Sequence, residues 1–139
     1  MLSQETIDSL ALELDHAERT GAQIGHFSLS HPTLTIDDRY RISRAWLRAS
    51  GRGVIGHKIG LTSRAMQISS QIDEPDFGTL LDDMLFECDG EATLVLNESR
   101  FIKPRVEVEL AFVLREALRG TDVTEEDVLR ATDYVCPAI

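Results

Sequence analysis

The sequence has little cysteine, little positive charge and no long apolar run. Its two cysteines, Cys88 and Cys136, share no metal-ligand spacing with a histidine. We therefore expect free thiols, and neither a disulfide framework nor a cysteine metal site.

Lys plus Arg number 14 against 24 for Asp plus Glu, which gives a formal net charge of -10. This balance argues against a nucleic-acid surface and against binding to an anionic membrane, so we expect neither partner.

Membrane and secretion signals are also missing. No apolar run approaches the roughly 20 residues that span a bilayer, and the first residues, Met1-Leu2-Ser3-Gln4-Glu5, lack the basic and apolar regions of a signal peptide. We therefore predict a cytoplasmic protein. What is present is ordinary globular composition, with 139 residues of which 42% are hydrophobic and 27% charged.

Two long helices are predicted in the first fifty residues. Ser3 is a plausible N-cap for the first, and Gly21 ends it. Its apolar residues recur at helical spacing and are Ile7, Leu10, Leu14 and Ala17. A loop with His26, His31 and Pro32 follows. Thr35 then caps a second helix that runs to about Ser50.

Two shorter helices are predicted from their caps. Thr62-Ser63 precedes a helix through about Ser70, and Thr124 precedes one from about Glu125 to Thr132. In the second of these, Asp127 stands at the third helical position, which is typical of a capping box.

Gly51-Arg52-Gly53-Val54-Ile55-Gly56 spells the G-x-G-x-x-G of dinucleotide-binding proteins. That motif needs a strand before it and a helix after it, whereas here a helix precedes and the strand-like Val54 to Leu61 follows. The P-loop alternative fails because His57 stands where the motif has lysine. We interpret the stretch as a glycine-rich exit from a helix into a strand.

The predicted strand Val54 to Leu61 carries a lysine, Lys58, between apolar residues and glycines. A lysine in apolar surroundings is a tunable acid or base, although a strand lysine can also extend to water. Downstream, Glu74-Pro75-Asp76-Phe77-Gly78 predicts a turn, in which Asp76 needs no role beyond that of a turn acid. Leu80 to Leu85 is ambiguous between a helical turn and a loop that lines a site.

Further strands are predicted in the second half of the chain. They are Ala92 to Leu96 after an Asp89-Gly90 turn, Phe101 to Lys103, Pro104 to Leu114, and the apolar stretch from Tyr134 to Ile139. In a strand over Pro104 to Leu114, the period of two puts Glu107 and Glu109 on one face. A divalent cation or solvent would have to balance these two carboxylates, so a metal site and a wet acidic face both remain open.

Four segments together resemble the hydratase and decarboxylase branch of the fumarylacetoacetate hydrolase superfamily. They are Gly56-His57-Lys58-Ile59-Gly60-Leu61-Thr62-Ser63, Glu74-Pro75-Asp76-Phe77-Gly78, Pro104-Arg105-Val106-Glu107-Val108-Glu109-Leu110, and Ala131-Thr132-Asp133-Tyr134-Val135 with Pro137-Ala138. Their order and spacing match as well. Within the branch, Ser69-Ser70-Gln71-Ile72 and Leu81-Asp82-Asp83-Met84 are similar to the hydratases of aromatic-compound degradation.

The resemblance implies an α+β fold in two parts. Residues 1–70 would form an N-terminal helical and α/β region, and residues 71–139 the first part of a catalytic domain, a mixed β-roll. It also implies Mg²⁺ or Mn²⁺ held by three carboxylates, two of which match Glu107 and Glu109. In the family the third acid follows directly on the step that matches Pro137-Ala138-Ile139. The family enzymes are about twice this length, so we expect the chain to be a truncated form, with an incomplete roll that favours association into homo-oligomers.

The activity that the resemblance implies is hydration of a small dianionic 2-oxo acid, a 2-oxo-alkenedioate, through a metal-stabilised dienolate. By similarity, Lys58 is the first choice for the catalytic acid or base, Asp76 is second as its partner or as the residue that orients water, and His57 is a weaker candidate. The alternatives are a decarboxylase with the same metal, a more distant carbon–carbon hydrolase, and a non-catalytic fragment or partner subunit.

Overall fold

The computed structural model describes residues 1–88, 90 and 93–139 of the chain. Five helices and four strands occur there, together with short 3-10 turns at Asp82–Met84 and Glu98–Arg100. In chain order they are α1 Gln4–Thr20, α2 Phe27–Ser30, α3 Ile36–Ser50, β1 Val54–Gly60, α4 Arg64–Ser70, β2 Asp76–Leu81, β3 Glu109–Leu114, α5 Glu125–Ala131 and β4 Thr132–Ala138. The predicted α+β class is confirmed, whereas the predicted β-roll stays a prediction.

The ends of the helices confirm the caps predicted from sequence. The Ser3 hydroxyl accepts a hydrogen bond from the Thr6 amide, and Gly21 ends α1 in the left-handed region at φ 66°. Thr35 and Asp38 form a reciprocal capping box at the start of α3, and Ser63 caps α4. Each N-cap satisfies backbone amides that the first turn of a helix leaves without partners.

The main hydrophobic core lies between α1 and α3. Its buried members are Ile7, Leu10, Ala11, Ile42 and Ala45, and the partly buried Leu2, Leu14, Phe27, Leu34 and Trp46 pack against them. Burying a large aliphatic side chain contributes about 1.5–3 kcal/mol. The short helix α2, which lay inside a predicted loop, supplies Phe27 to this cluster.

A wholly buried carboxylate attaches the N-terminal residues to α3. Asp38 accepts hydrogen bonds from the Leu2 amide at 3.1 Å, from the Thr35 amide and hydroxyl, and from the Arg41 guanidinium at 2.9 Å. Burial by itself would raise the pKa of Asp38, but the hydrogen bonds from Thr35 and Leu2 outweigh it, and the pKa lies below its usual value. Arg41 also donates to the Leu2 carbonyl, so this carboxylate and guanidinium together fix the chain before α1.

The next element is a hairpin in which β1 pairs antiparallel with β2, and α4 lies in the connection. Lys58 is opposite Gly78, and Gly60 is opposite Asp76. The predicted strand Val54 to Leu61 is confirmed except for its last residue. The predicted turn Glu74 to Gly78 is wrong in its second half, because residues from Asp76 onward pair with β1.

A second hairpin is formed by β3 and β4, again antiparallel, with Glu109 opposite Ala138 and Phe112 opposite Val135. Helix α5 precedes β4 and begins with the predicted capping box of Thr124 and Asp127. Among the described residues from Lys103 onward, Ala131 is the only buried hydrophobic side chain.

Three strand predictions fail in whole or in part. Residues 93–96 and 101–103 form no strand, and the strand predicted from Pro104 begins only at Glu109. Asp89 and Ala92, which belong to the predicted turn and strand there, lie outside the described residues. These segments have strand-like composition, but a strand also needs a partner for its backbone groups, which composition does not supply.

The chain divides by its internal contacts into two units, Met1–Ile102 and Lys103–Ile139. The predicted division into residues 1–70 and 71–139 stays a prediction. In this chain β1 and β2 pair across residue 70, so that both strands belong to the first unit.

Candidate active site

One face of the β1–β2 hairpin carries two of the residues singled out in the sequence, Lys58 and Asp76. Because Lys58 is opposite Gly78 and Asp76 is opposite Gly60, the two side chains project from the same face as diagonal neighbours. Diagonal neighbours in an antiparallel pair are about 7–8 Å apart, which a lysine side chain can reach across. The hairpin therefore brings together an amine and a carboxylate that are 18 positions apart in the chain.

Lys58 lies on a face of the hairpin that is rich in glycine. It is exposed, and the same face of the hairpin also carries Gly56, Gly60 and Gly78. The sequence suggested a lysine among apolar side chains, but the alternation of β1 turns Ile59 to the other face. Three of the residues on this face of the strand pair thus have no side chain, while Leu80 and Asp76 project from it beside them. A flat ligand could approach the glycine backbone closely.

The third candidate, His57, lies on the opposite face of the hairpin, where its strand partner is Thr79. A depression of about 300 Å³ on the hairpin is lined by His57, Ile59, Pro75, Asp76 and Phe77. The Phe77 ring stacks on Tyr40 of α3, with ring centroids 4.6 Å apart and planes 14° from parallel. This stacking connects the hairpin to the helical layer through the face that bears His57.

The open end of the hairpin is held by a polar cluster. The Gly53 amide donates to the Asp82 carboxylate at 3.0 Å, and the Asp82 amide donates to the Gly53 carbonyl at 2.9 Å. The neighbouring Arg52 binds Glu18 of α1 at 2.6 Å and Asp83 at 3.0 Å. The ambiguous segment Leu80 to Leu85 is therefore the end of β2 and a 3-10 turn, and its acids connect to other elements.

The guanidinium of Arg52 also lies 5.2 Å from the centre of the Trp46 ring. The hydrogen bonds that Arg52 donates to Glu18 and Asp83 hold the pKa of Arg52 above its usual value, in spite of partial burial. In the sequence, Arg52 stands out only as a member of the glycine-rich stretch Gly51 to Gly56. The adjacent acids Asp82 and Asp83 were visible in the sequence. The sequence did not indicate that Gly53 and Arg52 are their partners.

The predicted metal ligands belong to the second unit. Glu109 is the first residue of β3, and Glu107 lies two residues earlier, before the strand begins. Carboxylate oxygens suit Mg²⁺ and Mn²⁺, so the chemistry of these donors fits the expected cation. Within residues 1–88, 90 and 93–139, no group of three or more His, Cys, Asp or Glu side chains could hold a metal ion.

An apolar cavity that the sequence did not predict lies beside the helical core. It has a volume of about 610 Å³ and is lined mainly by residues of α1, α3 and the segment between them, including Leu14, Phe27, Leu34, Ile42 and Trp46.

None of the described helices is long and apolar enough to cross a bilayer.

No protein-family model matches the chain. The chain is 53% identical over 142 residues to 2-oxo-hept-4-ene-1,7-dioate hydratase of Escherichia coli, and the alignment covers 100% of the chain and 52% of the relative. It is 41% identical over 140 residues to 2-hydroxyhexa-2,4-dienoate hydratase of Comamonas testosteroni, covering 99% of the chain and 52% of the relative.

The solved structures of 4-oxalocrotonate decarboxylase from Pseudomonas putida G7 are similar in fold. The complex with calcium and acetate has a TM-score of 0.88 at 30% identity, and the complex with magnesium and adipate has a TM-score of 0.82 at 29% identity. Each comparison covers 99% of this chain and 52% of the decarboxylase. The chain thus spans about half the length of the proteins that it matches, and both decarboxylase structures contain a divalent cation.

Proposed function

We propose that this chain, which is similar over its whole length to half of a 2-oxo-hept-4-ene-1,7-dioate hydratase, belongs to an enzyme that adds water to that 2-oxo-alkenedioate. The single observation that carries the proposal is 53% identity across 100% of the chain. The resemblance to the hydratase and decarboxylase branch that the sequence motifs indicated is thereby confirmed.

The proposed reaction requires proton movements at carbons on either side of a double bond. A proton leaves C3 and another is added to C5, which moves the C4=C5 double bond into conjugation with the 2-oxo group. Water then adds its oxygen to C4, and a proton returns to C3. The net change is one water added across the original double bond, with no redox step, so the protein has to supply acid and base groups within reach of these carbons.

Lys58 is our choice for the group that moves these protons. Its exposed position on a face lined by glycines is compatible with a substrate lying against the strands. Asp76, the diagonal neighbour on that face, is proposed to hold the lysine or to orient the attacking water. His57 remains the weaker candidate because it lies on the other face of the hairpin.

Glu107 and Glu109 are proposed to hold Mg²⁺ or Mn²⁺ in the complete enzyme. A bound divalent cation would polarise the 2-oxo group and neutralise the adjacent carboxylate. The register of β3 and β4 supports a third ligand at the position after Ile139, where the family resemblance implies an acid. Since Glu109 is opposite Ala138, continuing the same register would bring that position opposite Glu107.

The second candidate function is decarboxylation of a 2-oxo-alkenedioate. The observation that favours it is the TM-score of 0.88 to 4-oxalocrotonate decarboxylase. Because both reactions can start from the same polarised 2-oxo acid, the same carboxylates and lysine suit either one, and fold similarity alone does not separate them. The higher sequence identity to the hydratase is our reason for preferring hydration.

Product analysis on the complete protein tests the proposal. The protein would be incubated with 2-oxo-hept-4-ene-1,7-dioate and Mg²⁺, and the products followed by ¹³C NMR. We expect a 4-hydroxy-2-oxo product with all seven carbons retained. Release of CO₂ without that product would favour the decarboxylase, and an unchanged substrate would contradict both enzyme functions.

The roles of the site residues are tested with Lys58→Met in the same protein. We expect turnover to fall by about 10²–10⁴-fold, which is the usual contribution of a positioned acid or base, with Mg²⁺ affinity unchanged. The matched control is Lys103→Met, since Lys58 and Lys103 are the two lysines of the chain. Glu109→Gln should instead weaken Mg²⁺ binding, as measured by calorimetric titration, and turnover should fall with the loss of the cation. Equal turnover in both lysine variants would remove Lys58 from the mechanism.

We further propose that the complete enzyme is a cytoplasmic homo-oligomer. The support for association is the β3–β4 hairpin, whose outer backbone groups are not paired with any further described strand. Sedimentation velocity of the complete protein distinguishes an oligomer from a monomer.

A further inference from the structure

The strand residue opposite Asp76 is a glycine, Gly60, and the space above its Cα is taken by the Asp76 carboxylate. A Cβ atom at position 60 would overlap Asp76 Oδ1 and would stand 3.6 Å from Asp76 Cγ. The carboxylate therefore lies across the strand pair, over the glycine backbone. Any larger residue at position 60 would compete with it for the same volume.

The backbone at position 60 does not itself require glycine. The positive-φ glycines among the described residues are Gly21, Gly51, Gly90 and Gly120, and Gly60 is not one of them. Alanine is compatible with ordinary strand backbone and raises β propensity relative to glycine. What the glycine provides here is the space above its Cα.

This steric demand is specific to one of three glycines on the face. At Gly78, which is opposite Lys58, an added Cβ would meet nothing within 4 Å. At Gly56 it would meet the end of the Leu80 side chain at 3.9 Å, which is an ordinary contact. Of these three glycines, only Gly60 has a carboxylate in the space where a Cβ atom would stand.

We propose that Gly60 is a positioning residue whose missing side chain leaves the space in which the Asp76 carboxylate lies across the β1–β2 hairpin, on the face that carries Lys58. The proposal extends the proposed function, because it assigns a reason for the orientation of the second catalytic candidate. A methyl group at position 60 would force the Asp76 side chain into another rotamer, while the pairing of the strands would persist. Turnover would then fall through Asp76, since group orientation controls proton transfer.

The geometry is tested first by NMR on the 139-residue chain, with Gly60→Ala and Gly78→Ala as a matched pair. In the unsubstituted chain we expect nuclear Overhauser contacts between the Asp76 Hβ and Gly60 Hα protons. These contacts should persist in Gly78→Ala, and in Gly60→Ala the Asp76 χ1 couplings should change. Cross-strand amide contacts between β1 and β2 verify that each variant keeps the hairpin. An unchanged Asp76 rotamer in Gly60→Ala would overturn the proposal.

The catalytic consequence is tested by a double-mutant cycle in the complete enzyme. We expect Gly60→Ala to lower kcat at least tenfold with a smaller change in KM, and to have no further effect when Asp76 is already alanine. An equal loss in the Asp76→Ala background would mean that Gly60 acts independently of Asp76, which contradicts the proposal. If the complete protein lacks hydratase activity, the NMR result still decides the positioning role by itself.

Discussion

At the scale of single residues, charge serves two distinct purposes in this chain. Asp38 is wholly buried and accepts hydrogen bonds from the backbone of Leu2 and Thr35, so that its charge serves the fold. Lys58 and Asp76, by contrast, are exposed on one face of a hairpin. A carboxylate with several donors is stabilised where it is, whereas exposed groups remain accessible to a substrate.

Asp38 predicts how stability depends on pH. Its pKa is lowered in the fold below the reference value of 3.8, so the folded state favours the carboxylate. The stabilisation is therefore present above about pH 4 and is lost as the pH falls through the lower, folded-state pKa. We expect Asp38→Asn to lower Tm by several degrees at pH 7, and the difference from the unsubstituted chain to shrink as the pH falls below the reference value of 3.8.

The matched control for this experiment is Asp37→Asn. Asp37 is exposed, lies in the same first turn of α3 and carries the same charge. Its replacement should change Tm much less at pH 7. Thermal unfolding followed by circular dichroism across pH 2–7 compares the two variants, and equal losses would refute a special role for Asp38.

At the scale of secondary-structure elements, Arg52 connects three parts of the first unit. It binds Glu18 in α1 through both terminal nitrogens, at 2.6 and 2.9 Å, and it binds Asp83 in the turn that follows β2. Its guanidinium also lies over Trp46 of α3. The planar guanidinium has several donors and can contact two acids and an aromatic ring at once. The compact ammonium of a lysine cannot make the same set of contacts.

We expect Arg52→Met to destabilise the first unit by about 1.5–3 kcal/mol, the usual range for hydrogen bonds to charged groups. The Arg52 side chain is 21% exposed, so solvent screens these pairs only partly. Arg52→Lys should recover part of the loss, because lysine keeps the charge without the bidentate geometry. Urea unfolding can be followed by circular dichroism and by the fluorescence of Trp46, the chain's one tryptophan.

Arg19→Met is the control for the loss of an arginine ion pair. Arg19 binds Asp15 at 2.7 Å, but its side chain is 71% exposed. Its replacement should cost less than about 1 kcal/mol, as is typical of surface pairs. Equal losses in the free energy of unfolding would show that the contacts of Arg52 stabilise the first unit no more than a surface ion pair does.

Elements with local signals were predictable from the sequence, and elements that depend on distant partners were less so. The helices after Ser3, Thr35, Ser63 and Thr124 begin as predicted, because a cap bonds to amides two or three residues away. The strand predicted from Pro104 begins only at Glu109, where pairing with Ala138 becomes available. Position 138 is 29 residues away, and a propensity scale contains no information about it.

At the scale of the whole molecule, the candidate site was predictable only in part. The family resemblance selected Lys58 and Asp76, and the hairpin register explains why they share a face. The steric restriction on side chains at position 60 could not be predicted from the sequence, because it depends on which residue lies opposite on the paired strand. Glu107 and Glu109 belong to the second unit, and their role in metal binding stays a prediction.

The second unit has several exposed apolar side chains. Its β3–β4 hairpin has two strands, and Leu110, Phe112, Tyr134 and Val135 are all exposed. A two-stranded sheet is marginally stable in water, so we expect this hairpin to contribute little to the stability of the 139-residue chain. The relatives are about twice as long, and in a protein of that length we expect further chain to pack on these faces.

A matched pair of leucines tests this expectation. In the 139-residue chain, Leu10→Ala should cost about 2–5 kcal/mol, because Leu10 is 5% exposed and lies in the α1–α3 core. Leu110→Ala should cost less than about 0.5 kcal/mol, because Leu110 is 66% exposed. In the complete enzyme we expect Leu110→Ala to cost several times more. Equal costs for the two leucines in the 139-residue chain would show that the hairpin is already packed, and an unchanged cost for Leu110→Ala in the complete enzyme would show that nothing covers it there.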